Sequence, residues 1–304
     1  MMNNINKPKV SVLLSAYNGA KYIAEQIDSL LAQENVSCSI IVRDDGSNDG
    51  TQTILTQYQE RELINWYQGK NVGVAKSFWD LLINAPNCDY YAFCDQDDIW
   101  LPNKLDVSIR AICKQKTPAL YCSNLKMVDA TGKTEIIAPS YRCKHTFGET
   151  FIRNVKQGCT MLFNHALMLE LRKYTPYYFS LHDSWVRRVC FSIGGYVEDG
   201  VPPLMLYRQH GGNVVGGKQS FSKMLSQNIK SWTYNKNARL LIFRELYAGY
   251  SDSMQPENRR LVEKAIHYQE SLWNKLSFMF DPNINTGVVS LKIKFMVSVL
   301  LNKY

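Results

Sequence analysis

Ala92-Phe-Cys-Asp95-Gln-Asp97-Asp98-Ile-Trp-Leu-Pro-Asn-Lys104 places three carboxylates within four positions, directly after the apolar run Tyr90 to Cys94. Burying a carboxylate is costly unless a positive group meets it, so acids bunched at a strand end point to a hard divalent cation beside a phosphate ligand. A short acidic cluster on its own is also what a solvated turn looks like, because aspartate is common in turns. The neighbouring elements decide between the two.

Upstream, Val10-Ser-Val-Leu-Leu-Ser15 has no polar alternation beyond serine and reads as a strand buried on both faces, as in a parallel sheet. Ala16-Tyr-Asn-Gly19 follows, and then Tyr22 to Gln33, where Ile23, Ile27, Leu30 and Leu31 fall on one helical face. A second strand, Ser39 to Arg43, runs into Asp44-Asp-Gly-Ser-Asn-Asp-Gly-Thr51 and another helical pattern. The order strand, helix, strand, helix, strand, with acids where strands end, predicts an α/β fold whose ligand sits at the carboxyl ends of the strands. Ser15-Ala-Tyr-Asn-Gly is not G-x-G-x-x-G, and no G-x-x-x-x-G-K-[ST] occurs, so dehydrogenases and P-loop enzymes are poor fits.

The first strand with Ser15-Ala-Tyr-Asn-Gly, the Asp44–Thr51 turn, Asn71-Val-Gly-Val-Ala, Asp95-Gln-Asp-Asp-Ile-Trp and His182-Asp183 together resemble the inverting glycosyltransferases of family 2. The resemblance covers roughly residues 8 to 217, in that family's order and spacing. It implies the GT-A fold, a Rossmann-like mixed sheet flanked by helices, over residues 1–217, followed by a mainly helical segment over 218–304. Carried over residue by residue, it puts Ser15, Ala16, Tyr17, Asn18, Asp45, Lys76, Asp95, Gln96 and Arg208 at the nucleotide sugar. Tyr17 offers a ring face to the base, and Asp45 accepts from the imide N–H of uracil or thymine. Asp97 and His210 are implied as ligands of Mn²⁺ or Mg²⁺, and Asp183 as the base that takes the acceptor's proton. Trp100, Gly158 and His182 fall on the acceptor side. Each motif has a structural reading as well: Asp44 and Asp45 as a turn or helix cap preceding Thr51, Asp98 and Asp183 as helix caps, Trp100 as a core residue, Lys76 as a surface lysine. Gly211 to Gly216, in Tyr207-Arg-Gln-His-Gly-Gly-Asn-Val-Val-Gly216, reads as a glycine-rich loop near the donor.

With 304 residues the chain has room for one α/β domain of about 220 residues and an appendage. Its eight cysteines include no C-x-x-C pair, and Cys38, Cys94, Cys122 and Cys190 sit inside apolar runs, as reduced thiols of a cytosolic protein do. The first eight residues lack the apolar core of a signal peptide, so the domain is expected to stay inside the cell.

After Gly217 thirteen Lys and Arg face six acids, and this excess of +7 makes up nearly all of the net +8. Trp232, Tyr234, Trp273, Phe278 and Phe280 are interleaved with these charges. No stretch reaches the roughly 18 uncharged apolar residues of a spanning helix. A basic, aromatic-bearing helical tail suits peripheral attachment to an anionic inner leaflet, where a lipid-linked acceptor is found. Helices packed on the catalytic domain, with a solvated basic face, are the competing reading. Nucleic acid is not expected, since no recognition module accompanies the charge.

The expected reaction is transfer of a hexose to a lipid-linked oligosaccharide in surface-polysaccharide (O-antigen or capsule) synthesis. The 207–216 stretch most resembles the rhamnosyltransferase branch, which makes dTDP-L-rhamnose the first donor. UDP-galactose, UDP-glucose and a UDP-N-acetylhexosamine are alternatives, as is a catalytically silent scaffold. A nucleotidyltransferase fits poorly, because the loop after the first strand lacks the basic residues that grip a triphosphate.

Overall fold

The computed structural model describes residues 7–136, 144–154, 156–210 and 237–304. Gly211 to Gly216, Trp232, Tyr234 and the boundary at 217/218 lie outside the described residues.

Four parallel strands form half of the sheet: β1 (Lys9–Ala16), β2 (Ser37–Asp44), β3 (Asn65–Gln68) and β4 (Tyr90–Asp95). They are joined through helices α1 (Ile23–Leu31), α2 (Thr51–Glu60) and α3 (Val74–Asn84). The sheet continues with β5 (Ile99–Trp100), β6 (Ala119–Val128), β7 (Glu135–Ile136), β8 (Met161–Asn164) and β9 (Tyr196–Arg208), in the order β3-β2-β1-β4-β8-β6-β9-β5, with β7 beside β6. Strand β8 runs antiparallel to β4 and β6, which makes the sheet mixed. Helices α4 (Lys104–Ile112), α5 (His165–Arg172) and α6 (His182–Ser192) lie between these strands in the chain.

The period-2 pleat explains why β1 carries apolar residues on both sides. Val10, Val12 and Leu14 enter one core with Ile23, Ile27 and Leu30 of α1, while Leu13 enters the other with Phe78 and Leu82 of α3. Strands β1 and β2 each extend one residue past the apolar run at the C-terminal end. This aligns Ser15 with Arg43 on one side and with Asp95 on the other.

The C-terminal segment folds as α7 (Ala238–Tyr250), α8 (Pro256–His267), α9 (Leu272–Met279) and α10 (Val289–Leu300). These helices build no separate core. Phe243, Tyr250, Phe278, Phe295 and Tyr304 share one buried cluster with Phe78, Phe151 and Trp185. Phe243 stacks on Phe151 at 4.0 Å, and the Tyr304 hydroxyl donates to the Phe151 carbonyl at 2.9 Å. Trp273, Phe280, Val289, Ile293, Leu300 and Leu301 remain exposed. No helix among the described residues is long and apolar enough to cross a membrane.

Candidate active site

The carboxyl ends of β1, β2 and β4 open onto a cleft of about 430 Å³. Its walls include Ser15, Tyr17, Asp45, Asp95, Gln96, Asp97, Gly158, His182 and Asp183. Segments far apart in sequence meet here because parallel strands point their ends the same way.

The turns after β1 and β2 are stitched together. The Asn18 amide donates to the Ser47 hydroxyl (2.8 Å), the Asn48 amide to Asn18 Oδ1 (2.9 Å), and the Gly19 amide to the Thr51 hydroxyl (2.9 Å). Asn18 therefore braces the loop, and Ala16 is buried in the core. The Gln96 amide group pairs with both backbone groups of Tyr17, at 2.8 and 2.9 Å, tying the acidic turn to the β1 end, while Tyr17 itself stays 47% exposed. Asp44 is buried and accepts from the Ser47 amide and Gln52. Asp45 lines the cleft; it accepts from the amides of Val72 and Gly73, near 3.0 Å, and is ion-paired to Arg43.

In the acidic turn the three carboxylates take separate places. Asp97 meets His210 Nε2 at 2.7 Å. Asp98 is fully buried; one oxygen accepts from the Arg208 amide at 3.2 Å and the other has no partner. Asp95 lies beside Asp98 and the Cys159 thiol, with ligand atoms within 4.8 Å of one another. Burial, then the Asp97 charge, raises the Asp95 pKa to about 7, and burial next to Asp95 drives Asp98 well above the usual carboxylate range. Beneath them the buried Lys104 ammonium donates to the Cys159 carbonyl and lies 3.5 Å from the Trp100 ring centroid. Burial lowers its pKa to about 8.

Across the cleft, α6 starts at His182, so Asp183 lies inside the first turn rather than capping it, and Leu181 takes the cap position. Asp183 accepts from the Ser184 amide and from Asn154 at 3.2 Å. Burial raises its pKa to about 6, against lowering contributions from these donors, Arg188 and the Gly158 backbone. His182 stacks on Phe78 at 3.9 Å, neither ring nitrogen has a partner, and burial lowers its pKa to about 3. The ring fits because residue 158 is glycine: a Cβ there would stand 2.3 Å from Nε2.

Besides Ala16 and Asn18, three more expected residues take other places. Trp100 is 2% exposed and packs in the core under Lys104, so no sugar reaches its face. The Arg208 guanidinium is buried, donating to the carbonyls of Asp97 (2.9 Å) and Ala130 (3.1 Å) and pairing with Glu25 at 2.6 Å, which makes it a brace behind the acidic turn. Lys76 is exposed on α3 and does not line the cleft. Sequence reasoning missed Arg43 and Lys104. A charge inside the apolar run Ile40-Ile-Val-Arg43 was the available signal for the first, whereas Lys104 looks like any surface lysine at a helix start.

Among the described residues, Asp95, Asp98 and Cys159 form a group whose ligand atoms are close enough to hold a metal ion, and Asp97, paired with His210, belongs to the same acidic turn. A carboxylate with a raised pKa on the opposite wall is suited to taking a proton from a hydroxyl.

The family model described as glycosyl transferase family 2 matches residues 11–168. The chain is 30% identical over 224 residues to "dTDP-rhamnosyl transferase RfbG" of Shigella flexneri, covering 68% of this chain and 75% of that one. It is 37% identical over 102 residues to "Putative teichuronic acid biosynthesis glycosyltransferase TuaG" of Bacillus subtilis, or 33% of this chain and 40% of that one. Among solved structures, S. aureus TarS 1-349 in complex with UDP-GlcNAc superposes with a TM-score of 0.61 at 17% identity, over 97% of this chain and 82% of that one. The arrangement of strand ends around the cleft is thus that of a GT-A fold, and the chain belongs to glycosyltransferase family 2.

Proposed function

We propose that the protein transfers a hexose from a pyrimidine-nucleotide sugar, with dTDP-L-rhamnose the first candidate, to a lipid-linked acceptor in bacterial surface-polysaccharide synthesis. The observation that carries this reading is Asp183, with its pKa raised to about 6, facing Asp95 and Asp97 across one cleft. The dTDP-rhamnose preference is supported by the likeness to RfbG, and the polysaccharide setting by the likeness to TuaG.

Transfer with inversion is a single in-line displacement at the anomeric carbon, which needs a base on the face opposite the leaving diphosphate. Asp183 takes the acceptor hydroxyl proton as the C–O bond forms; Asn154 and the Ser184 amide hold one of its oxygens in place. Tyr17 and Asp45 flank the base, and Ser15 lies deeper, its hydroxyl 2.6 Å from that of Ser77. Asp97 and His210 would hold Mn²⁺ or Mg²⁺, with Asp95 beside them. That ion supplies Lewis-acid neutralisation of the departing nucleoside diphosphate, by several kcal/mol. Lys294, exposed next to the exposed Ile293 on α10, supports peripheral contact with an anionic leaflet.

Calorimetry with dTDP-L-rhamnose, UDP-galactose, UDP-glucose and UDP-N-acetylglucosamine tests the reading, each with Mn²⁺ and with chelator, on wild type and Asp97→Ala. Metal-dependent binding of dTDP-L-rhamnose, lost in the variant, is the expected result. Preferential binding of another sugar would replace the donor. Failure of all four to bind would favour the silent scaffold.

A further inference from the structure

Arg43 is buried beneath the cleft at 4% exposure and does not line it, yet its guanidinium reaches Asp45 of the cleft wall directly and Ser15 through Ser77. Nη1 is ion-paired to Asp45 and donates to the Ser77 hydroxyl at 3.2 Å; that hydroxyl meets Ser15 at 2.6 Å. Nε donates to Asp80 at 3.0 Å, and Nη2 to the Lys70 carbonyl at 3.1 Å, at the base of the loop that carries Val72 and Gly73. Asp80 also accepts from the Tyr67 hydroxyl at 2.7 Å. One side chain thus joins the ends of β1, β2 and β3 to α3.

The geometry asks for arginine in particular. Donors leave the planar fork in several fixed directions, which a lysine ammonium, a point charge with three mobile donors, does not reproduce. The seat is cut for it by Gly69, where a Cβ would stand 2.3 Å from Nη2 and 2.5 Å from Cζ. The consequence falls on Asp45. An ionised carboxylate is acceptor-only, with about four lone-pair sites. Here Arg43, the Val72 amide shared between both oxygens, and the Gly73 amide take most of them. What remains facing the cleft is acceptor capacity fixed in direction, matched to an N–H donor on a ligand and mismatched to a bare ring nitrogen.

We propose that Arg43 is a positioning residue that sets base selectivity: by fixing Asp45 as an oriented acceptor, it makes the cleft favour a base with an imide N–H, uracil or thymine, over cytosine, whose N3 is an acceptor. This inference rests on the reading that the cleft takes a nucleoside diphosphate sugar. A purely structural arginine would stabilise the strand ends without altering the order of preference among bases.

The test is calorimetric binding of UDP, dTDP and CDP, each with Mn²⁺, to wild type, Arg43→Lys, Gly69→Ala and Asp80→Asn, with folding confirmed by circular dichroism and melting temperature. Gly69→Ala keeps the arginine and displaces its guanidinium, so it separates geometry from loss of charge. Wild type is expected to bind UDP and dTDP at least about tenfold more tightly than CDP, the size of one well-placed hydrogen bond. In Arg43→Lys and Gly69→Ala the UDP and dTDP affinities fall about tenfold while CDP changes less than about threefold, so the preference collapses. Asp80→Asn, which removes a partner remote from Asp45, keeps the preference. Equal weakening of all three nucleotides, or an unchanged ratio in folded Arg43→Lys and Gly69→Ala, overturns the proposal and leaves the donor reading standing. So does a wild type that binds UDP and CDP alike. A wild type that binds none of the three removes the donor reading and this inference with it.

Discussion

In the proposed transfer, Asp183 is the group that takes the acceptor's proton. Its burial raises the pKa to about 6, close enough to neutrality for a base that is ionised at rest and still able to hold a proton. Asp183→Asn keeps the shape and removes the basicity, so kcat is expected to fall by about 10² to 10⁴ while nucleotide-sugar binding by calorimetry stays within about twofold. The acidic limb of the kcat/KM profile should lie near pH 6, activity rising as pH rises through it, because only the ionised carboxylate accepts a proton. A limb that stays in place in the residual activity of Asp183→Asn would assign it to another group. Arg43 and Lys104 show what residue-level reading misses. Their identities suggest surface charges, and only their surroundings, carboxylates for one and the buried underside of the acidic turn for the other, make them parts of the site.

At the scale of elements, the four C-terminal helices have two faces with different consequences. Phe243 on α7 is 1% exposed and stacked on Phe151, so Phe243→Ala is expected to cost about 3 to 5 kcal/mol in denaturant unfolding. Trp273 on α9 is 79% exposed, and Trp273→Ser should stay within about 0.5 kcal/mol of wild type. If the exposed face meets lipid, Trp273→Ser combined with Ile293→Ser weakens sedimentation with anionic vesicles and leaves nucleotide binding intact. Vesicle binding equal to wild type would leave these helices a packing role alone. Deleting residues 286–304 is a poor test, since it strips Phe295, Val299 and Tyr304 from the shared core and destabilises the whole protein. Nothing in the periodicity of Val288–Leu301 separates these faces. Both are apolar, and which one is buried depends on where Phe151 and Phe278 come to lie.

Over the whole molecule, the cleft carries the cost of buried carboxylates. Asp95, Asp98 and Asp183 all have raised pKa values, chiefly through burial. Each binds a proton in the folded protein at pH values where the unfolded chain has released it, so its stabilising contribution is complete below about pH 4 and is lost as pH rises through about 6 for Asp183 and about 7 for Asp95. His182, lowered to about 3, acts oppositely below about pH 6.5 but is one group against three. The metal-free protein should therefore melt at a higher temperature near pH 5.5 than near pH 7.5. Mn²⁺ at pH 7.5 should recover part of the difference in wild type and none in Asp97→Ala.

Asp183 as a downstream base is what the resemblance to family 2 implies, whereas the residue order by itself determined the alternation of strands and helices and the placement of acids where strands end. These follow from periodicity and from the cost of burying charge, which are local properties. The extent of each strand, the start of α6 at His182 and the burial of Trp100 and Arg208 were decided only in three dimensions. A tryptophan or an arginine can sit on a cleft or under it with the same neighbours in sequence. Register between strands settles which: Ser15 aligned with Arg43 and Asp95 puts the hydroxyl, the guanidinium and the carboxylate at one strand end, and the packing of α3 and α6 then closes the wall around them.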